Sequence, residues 1–134
     1  MTPLQTIEFV VPGEPVPKGR PRFASVGGKT RAYTPAKTVS YERTGALIAR
    51  AAASAACWTI GKDDVCSLHI RIYRKHLLKG GDVDNCVKAC ADFCNGILYK
   101  DDARVVSIRA EVYAAAVSRL EVRATRFSRS DWKP

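Results

Sequence analysis

One stretch near the middle of the chain alternates between apolar and polar side chains, and it constrains the fold more than any other feature. Between Val65 and Arg74 every second residue is apolar, from Cys66 to Ile72. Successive side chains of a strand point to opposite faces of a sheet, so this stretch is predicted to be a strand with one buried face. We expect helices to cover that face.

A helix is predicted on each side of this strand. Roughly residues 36–56 are rich in alanine and other good helix formers, and Gly61 follows them. Residues 83–97 show helical periodicity, with Asp84, Lys88 and Asp92 along the polar face. The apolar stripe of this second helix consists of Val83, Val87, Cys90, Cys94 and Ile97.

The two ends of the chain supply further strands. Ile7–Val11 is a short β-rich run, and the proline- and glycine-rich residues 12–35 that follow are predicted to be a long irregular loop. Two alternating runs near the C-terminus predict a strand hairpin. Their buried residues are expected to be Val106, Ile108, Ala110 and Val112, then Leu120, Val122 and Ala124.

The predicted order of elements is therefore β-loop-α-β-α-β-β. A terminal hairpin cannot belong to an all-parallel sheet, so the class is α+β with a mixed sheet and helices packed on it. With 134 residues, the chain is predicted to be a single small domain over 1–134.

The charge of the chain points to a polyanionic partner. There are 22 Lys and Arg residues against 13 Asp and Glu residues, a formal net charge of +9. The charge is unevenly distributed, because residues 81–103 hold five aspartates and two lysines. Such an acidic segment in a basic chain favours divalent cations that bridge to phosphate, although a solvated acidic helix and turn would look the same.

Other patterns concern the cellular compartment. No apolar run reaches the roughly 18 residues of a membrane helix, and the N-terminus lacks a secretory signal pattern, so we expect a soluble, cytoplasmic protein without membrane association. Five cysteines without a CxxC pair indicate thiols, not disulfides or zinc. Cys86, Cys90 and Cys94 share one helix side, which predicts core packing.

The acidic segment, about residues 80–103, contains the residues best suited to catalysis. Asp82 and Asp84 lie where a loop meets a helix, and two carboxylates placed there can converge on one Mg²⁺ ion. A third carboxylate, from Asp101 or Asp102, would complete an oxygen-rich site. Helix capping is the alternative for Asp82.

Lys88 follows Asp84 by one helical turn. Its ammonium group could neutralise charge on a phosphoryl oxygen, or it could form an ordinary i,i+4 ion pair with Asp84.

Two motifs in this segment, with a third near the N-terminus, resemble those of a known family. They read Asp82-x-Asp84-Asn85-x-x-Lys88, then Asn95-Gly-x-Leu98-Tyr99-x-Asp101-Asp102-x-x-Val105, and upstream Pro12-Gly-x-Pro15-x-x-Lys18-x-Arg20-Pro21-Arg22. This combination resembles the phage and prophage type of the RusA family of Holliday junction resolvases, the crossover junction endodeoxyribonucleases of bacteria and their prophages. One departure is the Gly80-Gly81 pair, where the family has an unbroken basic run.

The resemblance implies a small homodimeric endonuclease, dependent on Mg²⁺ or Mn²⁺, that places symmetric nicks across a four-way DNA junction. It implies Asp82, Asp84 and Asp102 as metal ligands, with Asp101 as the alternative to Asp102. It also implies Lys88 as the essential basic residue.

A second set of residues is expected to bind DNA. They are basic residues of the loop over about 12–35, where Phe23 and Tyr33 offer stacking partners, and of the segment that leads into the acidic site. The set is Lys18, Arg20, Arg22, Lys29, Arg31, Arg74, Lys75 and Lys79.

The sequence leaves two questions open. The chain could be a non-catalytic basic nucleic-acid-binding module whose acids only cap and solubilise; an aspartyl phosphatase is disfavoured because Asp82 does not follow an apolar strand. In addition, a helix over 84–97 spans roughly 20 Å, so Asp102 must return toward Asp82 through the turn or come from a partner subunit.

Overall fold

The alternating stretch forms a strand with one buried face, as predicted, and this strand lies inside the main sheet. The computed structural model describes residues 1–19 and 22–134. Its helices are α1, Ala36–Ala55, and α2, Val83–Phe93. Its strands are β1 (Gln5–Pro12), β2 (Arg22–Val26), β3 (Lys29–Tyr33), β4 (Asp64–Arg74), β5 (Val105–Ala114) and β6 (Arg119–Ser128).

The main sheet is mixed and has the strand order β1-β6-β4-β5. β6 is antiparallel to both β1 and β4, whereas β5 is parallel to β4. The parallel pair is joined through α2, so β4, α2 and β5 form a βαβ unit. The predicted α+β class, with a mixed sheet and two helices, is confirmed.

The predicted terminal hairpin is wrong, because β4 lies between β5 and β6. The connection over residues 115–118 crosses the end of β4, where the Ala115 amide donates to the Arg74 carbonyl at 2.9 Å. Alternation indicates which face of a strand is buried, but it carries no information on which strand lies beside it.

Both helices contribute to one core with a single face of the sheet. Ile70 and Ile72 of β4 and Leu120 and Val122 of β6 are buried in this core, as predicted for both strands. A Cβ atom on Gly45 of α1 would lie 2.7 Å from the ring of Phe93. This glycine therefore permits the close approach of α1 to α2.

The second helix ends earlier than predicted. Cys94 is its C-cap, and the amide of Gly96 donates to the Tyr99 carbonyl at 2.8 Å, which closes a turn with Gly96 at φ +74°. Cys90 and Cys94 of the predicted apolar stripe are buried, whereas Val83 is exposed.

The predicted buried face of β5 is only partly correct. Ala110 and Val112 pack against the core, but Val106 and Ile108 are 40% and 47% exposed. β5 is an edge strand, and the register with β4 shifts between Cys66 and Ser67, which leaves Val106 as the extra residue of a bulge.

A small hairpin interrupts the predicted irregular loop. β2 and β3 pair antiparallel, joined by Gly27 and Gly28 at φ +58° and +77°. Two consecutive positive φ angles are typical of the type I′ turn that suits hairpins. The Gly27-Gly28 pair between two short runs was the signal for it in the sequence.

Two further expectations concern the cysteines and the membrane. All five cysteines are free thiols, and Cys86, Cys90 and Cys94 are buried in the core as predicted. Across residues 1–19 and 22–134, no helix is both long enough and apolar enough to cross a bilayer.

Candidate active site

The first acidic position lies at the start of α2. Asp82 is the N-cap residue, with extended backbone angles of φ −77° and ψ 150°, but its side chain forms no capping hydrogen bond. Asp84 lies in the first turn, and both residues are exposed. The capping interpretation of Asp82 is therefore not what the structure shows, and its carboxylate is left for another role.

A buried arginine holds the loop that leads to these aspartates. Arg74 is only 5% exposed, and its guanidinium donates to three carbonyl oxygens of the loop. These are the oxygens of His76 at 3.1 Å, Leu77 at 2.8 Å and Gly81 at 2.8 Å. This placement gives Arg74 an architectural role in place of the predicted DNA contact.

The N-terminal segment Pro15–Gly19, which we name the strap, is fastened over this loop. A Cβ atom on Gly81, whose φ is +93°, would lie 2.6 Å from the Pro17 ring, so only glycine permits this contact. The Lys18 amide also donates to the Asn85 carbonyl at 2.9 Å. The Gly80-Gly81 pair thus has a local structural reason.

The side chain of Lys18 joins α1 to α2. Its Nζ lies 2.7 Å from Glu42 Oε1 and 3.2 Å from Asp92 Oδ2. Burial lowers the pKa of Lys18, but the hydrogen bonds to Glu42 and Asp92 outweigh burial and raise the pKa above its usual value. Lys18 was predicted to bind DNA; in the structure it is engaged within the chain.

Lys88 points away from the partner expected for it. Its Nζ lies 3.9 Å from Asp92 Oδ1, so the i,i+4 pair forms with Asp92, not with Asp84. The side chain of Lys88 is 61% exposed, and at this distance the pair is weak. Lys88 thus lies one helical turn after Asp84, with an ammonium group that is exposed and only weakly paired.

The second acidic position precedes β5. Asp101 Oδ1 accepts a hydrogen bond of 3.0 Å from the Ala103 amide, which makes Asp101 the cap of a single 3₁₀ turn, Asp102–Arg104. Asp102 begins that turn and is exposed. Between the two alternatives, Asp102 has the carboxylate that is not used for capping.

Two basic residues that flank the acidic pair in the sequence, Lys100 and Arg104, line a groove. The groove has a volume of about 440 Å³ and is also lined by Lys62 and Asp64. The Arg104 guanidinium donates to the Lys62 carbonyl at 3.0 Å, which fixes the groove to the connection before β4.

The two acidic positions lie at opposite ends of the β4–β5 pair. The register places Val105 beside Cys66, whereas the Asp82 loop is held by Arg74, eight residues further along β4. At 3.3 Å per residue, Cys66 and Arg74 are about 26 Å apart along β4. The fold therefore does not return Asp102 to Asp82 through the turn, one of the two possibilities that the sequence left open.

The carboxylates of the two acidic positions suit a metal ion in kind but are too few at one place in a single chain. Oxygen ligands of this kind suit Mg²⁺, but one chain brings only Asp82 and Asp84 to the same place. Within the part of the chain that the structure describes, no three His, Cys, Asp or Glu side chains are grouped closely enough to hold a metal ion. Carboxylates are therefore suitable ligands for Mg²⁺, but a single chain brings too few of them together.

The remaining predicted DNA contacts are exposed. In the β2–β3 hairpin, Arg31 is paired with Ala24 and Lys29 with Val26, and paired residues lie on the same face of the hairpin. Arg22, Ala24 and Val26 are alternate residues of β2, so Arg31 and Lys29 share one face with Arg22. Phe23 lies on the opposite face and is 71% exposed. Arg20 lies outside the described residues. Lys75 and Lys79, on the loop before Asp82, are also exposed.

Sequence reasoning missed several residues that build the site. Pro17 could have been suspected from the Gly80-Gly81 pair, which signals a close approach of backbone to another segment. The contacts of Glu42 and the burial of Arg74 had no such signal, because both depend on which elements pack together.

Comparisons with known proteins identify the family to which the chain belongs. The family model described as "Endodeoxyribonuclease RusA" matches residues 12–125. The chain is also 32% identical, over 139 residues, to a protein of Bacillus subtilis (strain 168) described as "Uncharacterized protein YqaN"; this alignment covers 89% of the chain and 95% of the relative. The chain therefore belongs to the RusA endodeoxyribonuclease family, a family of nucleases.

Proposed function

We propose that this chain is a structure-selective endonuclease that resolves four-way DNA junctions by paired symmetric nicks, using Mg²⁺ or Mn²⁺, in recombination and repair. The observation that supports the proposal most is Asp82, an N-cap residue whose carboxylate makes no cap, at the same helix start as Asp84, which the exposed Lys88 follows by one helical turn. We further propose that it acts in the cytoplasm and is encoded by a bacterium or a prophage.

The chain's residues would divide the chemistry as follows. Asp82 and Asp84 would hold the metal ion, with Asp102 as the third ligand; when bound, the ion supplies an activated water and neutralises phosphoryl charge. Lys88 would place its ammonium against a phosphoryl oxygen as negative charge develops there. The strap and Arg74 would keep the loop of Asp82 in its conformation.

We propose that a second copy of the chain supplies Asp102. In one chain, the start of α2 and the turn before β5 lie at opposite ends of the β4–β5 pair, so an antiparallel pairing of two copies would bring each Asp102 to the other's Asp82. A two-fold dimer also matches the symmetry of a four-way junction and supplies two cuts.

The cationic face of the β2–β3 hairpin is proposed to follow the DNA backbone. Arg22, Lys29 and Arg31 share that face, and Lys75 and Lys79, exposed on the loop before Asp82, are proposed as further phosphate contacts. The uncharged face presents Phe23, which suits stacking on a base exposed at the branch point.

Cleavage of a labelled four-way junction tests this function directly. We expect paired nicks with Mg²⁺, no nicks with EDTA, and no cleavage of a duplex of the same sequence. Asp82→Asn and Asp84→Asn should abolish cleavage while metal-free junction binding is retained. Junction binding without cleavage at any Mg²⁺ or Mn²⁺ concentration would instead support a non-catalytic binding module.

Mixing two inactive variants tests the shared site. One chain carries Asp82→Asn with Asp84→Asn, and the other carries Asp102→Asn. If Asp102 acts across the dimer, each mixed dimer has one intact site, and random mixing restores about a quarter of the wild-type sites. If Asp102 acts within its own chain, no site is intact and the mixture stays inactive.

A further inference from the structure

A chain of three charged groups connects the strap to Lys88. Asp92 lies between two lysines: its Oδ2 is 3.2 Å from Lys18 Nζ, and its Oδ1 is 3.9 Å from Lys88 Nζ. Lys18 is the closer partner and is 25% exposed, whereas Lys88 is 61% exposed. Lys18, which is not in the proposed catalytic set, is thus the less exposed of the two lysines and the one closer to Asp92.

We propose that Lys18 is a positioning residue that occupies Asp92 and thereby leaves the Lys88 ammonium free to contact a phosphoryl oxygen. The proposal rests on the function proposed above, because it takes Lys88 as the group that contacts the phosphate. It gives the strap a purpose in catalysis that does not require Lys18 to bind DNA.

The surroundings of Lys18 support a role within the protein. Two carboxylates, of Glu42 and Asp92, lie within 3.2 Å of its ammonium, so its charge is already neutralised. Its backbone amide is bound to the Asn85 carbonyl, and its neighbour Pro17 packs on Gly81. A side chain held at both its backbone and its charged end has little freedom to reach a DNA phosphate.

The effect on Lys88 follows from the spacing of α2. Lys88 and Asp92 are four residues apart on one helix, the spacing at which opposite charges attract. Without Lys18, Lys88 becomes the nearest cation to Asp92 among the described residues, and a closer Lys88–Asp92 ion pair would draw the ammonium away from the start of α2, where Asp82 and Asp84 lie.

Four variants form a cycle that tests this relation: Lys18→Met, Asp92→Asn, the two combined, and Lys18→Arg. Lys18→Met should slow single-turnover junction cleavage about fivefold, the most that one exposed ion pair is worth. Asp92→Asn removes the competing carboxylate, so the combined variant should cleave as fast as Asp92→Asn alone. Lys18→Arg keeps the ion pair and should stay within about twofold of wild type.

Measurements other than cleavage separate a positioning role from the other possibilities. Amine acetylation of the metal-free protein, followed by mass spectrometry, should label Lys88 more slowly in Lys18→Met than in wild type, and at the wild-type rate in the combined variant. Metal-free junction affinity and its salt dependence should be unchanged by Lys18→Met. A decrease in the salt slope of about one unit would show a phosphate contact by Lys18 and overturn the proposal.

Two controls complete the design. Circular dichroism melting of each variant identifies a loss of folding; slow cleavage in Lys18→Met that Asp92→Asn does not restore would show a merely structural role and overturn the proposal. Lys88→Met tests the proposed function separately. If Lys88→Met cleaves normally, the assignment of Lys88 fails; if it is inactive while Lys18→Met is normal, only the present inference fails.

Discussion

The two ends of the β4–α2–β5 unit carry similar acidic motifs but hold them in different ways. At the start of α2, Asp82 follows a loop that contacts both the Arg74 side chain and the strap. Before β5, Asp101 caps a single turn and Asp102 stands beside a basic groove. One end is built by packing from distant segments, the other by a local turn.

This difference shows why an acidic segment in the sequence is not one site. Its aspartates fall within 21 residues, yet the βαβ crossover sends the two groups to opposite ends of two parallel strands. Proximity along the chain was the reason to expect a single metal site, and the parallel pairing is the reason that one chain does not form it.

The largest expected effect comes from the matched pair Asp102→Asn and Asp101→Asn. Asp102→Asn should lower junction cleavage about a thousandfold, since it would remove a proposed metal ligand, whereas Asp101→Asn should lower it less than about threefold because asparagine also caps. Cleavage rates with saturating Mg²⁺ measure both. Equal losses in the two variants would remove the distinction between cap and ligand.

The next effect concerns alkaline pH at the Asp102 end. Burial raises the pKa of the Cys66 thiol from 9.0 to about 12, although a hydrogen bond to the Thr125 backbone and the charge of Arg126 act in the opposite direction. Because the folded pKa is the higher one, the stability this thiol contributes is complete below pH 9 and is lost between pH 9 and about 12. The loss could reach about 4 kcal/mol.

Urea unfolding between pH 8 and 11 measures this loss. Cys66→Ala should flatten the decrease of the unfolding free energy with pH, and Cys57→Ser, a change at an exposed thiol, should leave it steep. At the Asp82 end, the pKa of Lys18 is also raised on folding. The stability that Lys18 contributes is therefore present below pH 10.5 and is lost as the pH rises above it. If the unfolding free energy of Cys66→Ala decreases with pH as steeply as that of wild type, a group other than Cys66 is responsible for the decrease.

A smaller effect compares one glycine from each end. Gly81→Ala introduces a Cβ 2.6 Å from Pro17 at a φ of +93°, and should destabilise the fold by about 3 kcal/mol. Gly96→Ala, at φ +74° with no atom within 4 Å of the new Cβ, should cost about 1 kcal/mol. Thermal melting of both variants tests whether the strap contact, not the φ angle alone, fixes the Asp82 end.

The smallest effect concerns the lysines at each end. Lys79→Gln near Asp82 and Lys62→Gln near Asp102 should each weaken junction binding by about threefold and reduce the salt slope by about one unit. Both changes are expected if two copies bring the two ends to one DNA strand. Loss of affinity only in Lys79→Gln would indicate that the Asp102 end stays away from DNA.

Several elements were predictable because their patterns are local. The alternation in β4 and β6 and the composition of α1 gave the correct elements, and Gly27-Gly28 was a readable hairpin signal that was overlooked. The position of β5 beyond β4 was not predictable, because strand pairing depends on the whole sheet. The partners of Lys18 and Arg74 within the chain were not predictable for the same reason, since a basic residue in a basic segment looks the same in the sequence whether it binds DNA or another part of the protein.

The sequence by itself determined the class of the protein: an α+β domain of the RusA endodeoxyribonuclease family, with motifs that contain Asp82, Asp84, Lys88 and Asp102. The motifs are local in the chain, so their resemblance to the family can be read from the residues themselves, and the family model matches residues 12–125. Only the tertiary structure decided that Asp102 lies at the far end of the β4–β5 pair, that Lys18 is ion-paired within the chain and that Arg74 is buried. The physical reason is that burial, ion pairing and strand order depend on residues distant in sequence, which only folding brings into contact.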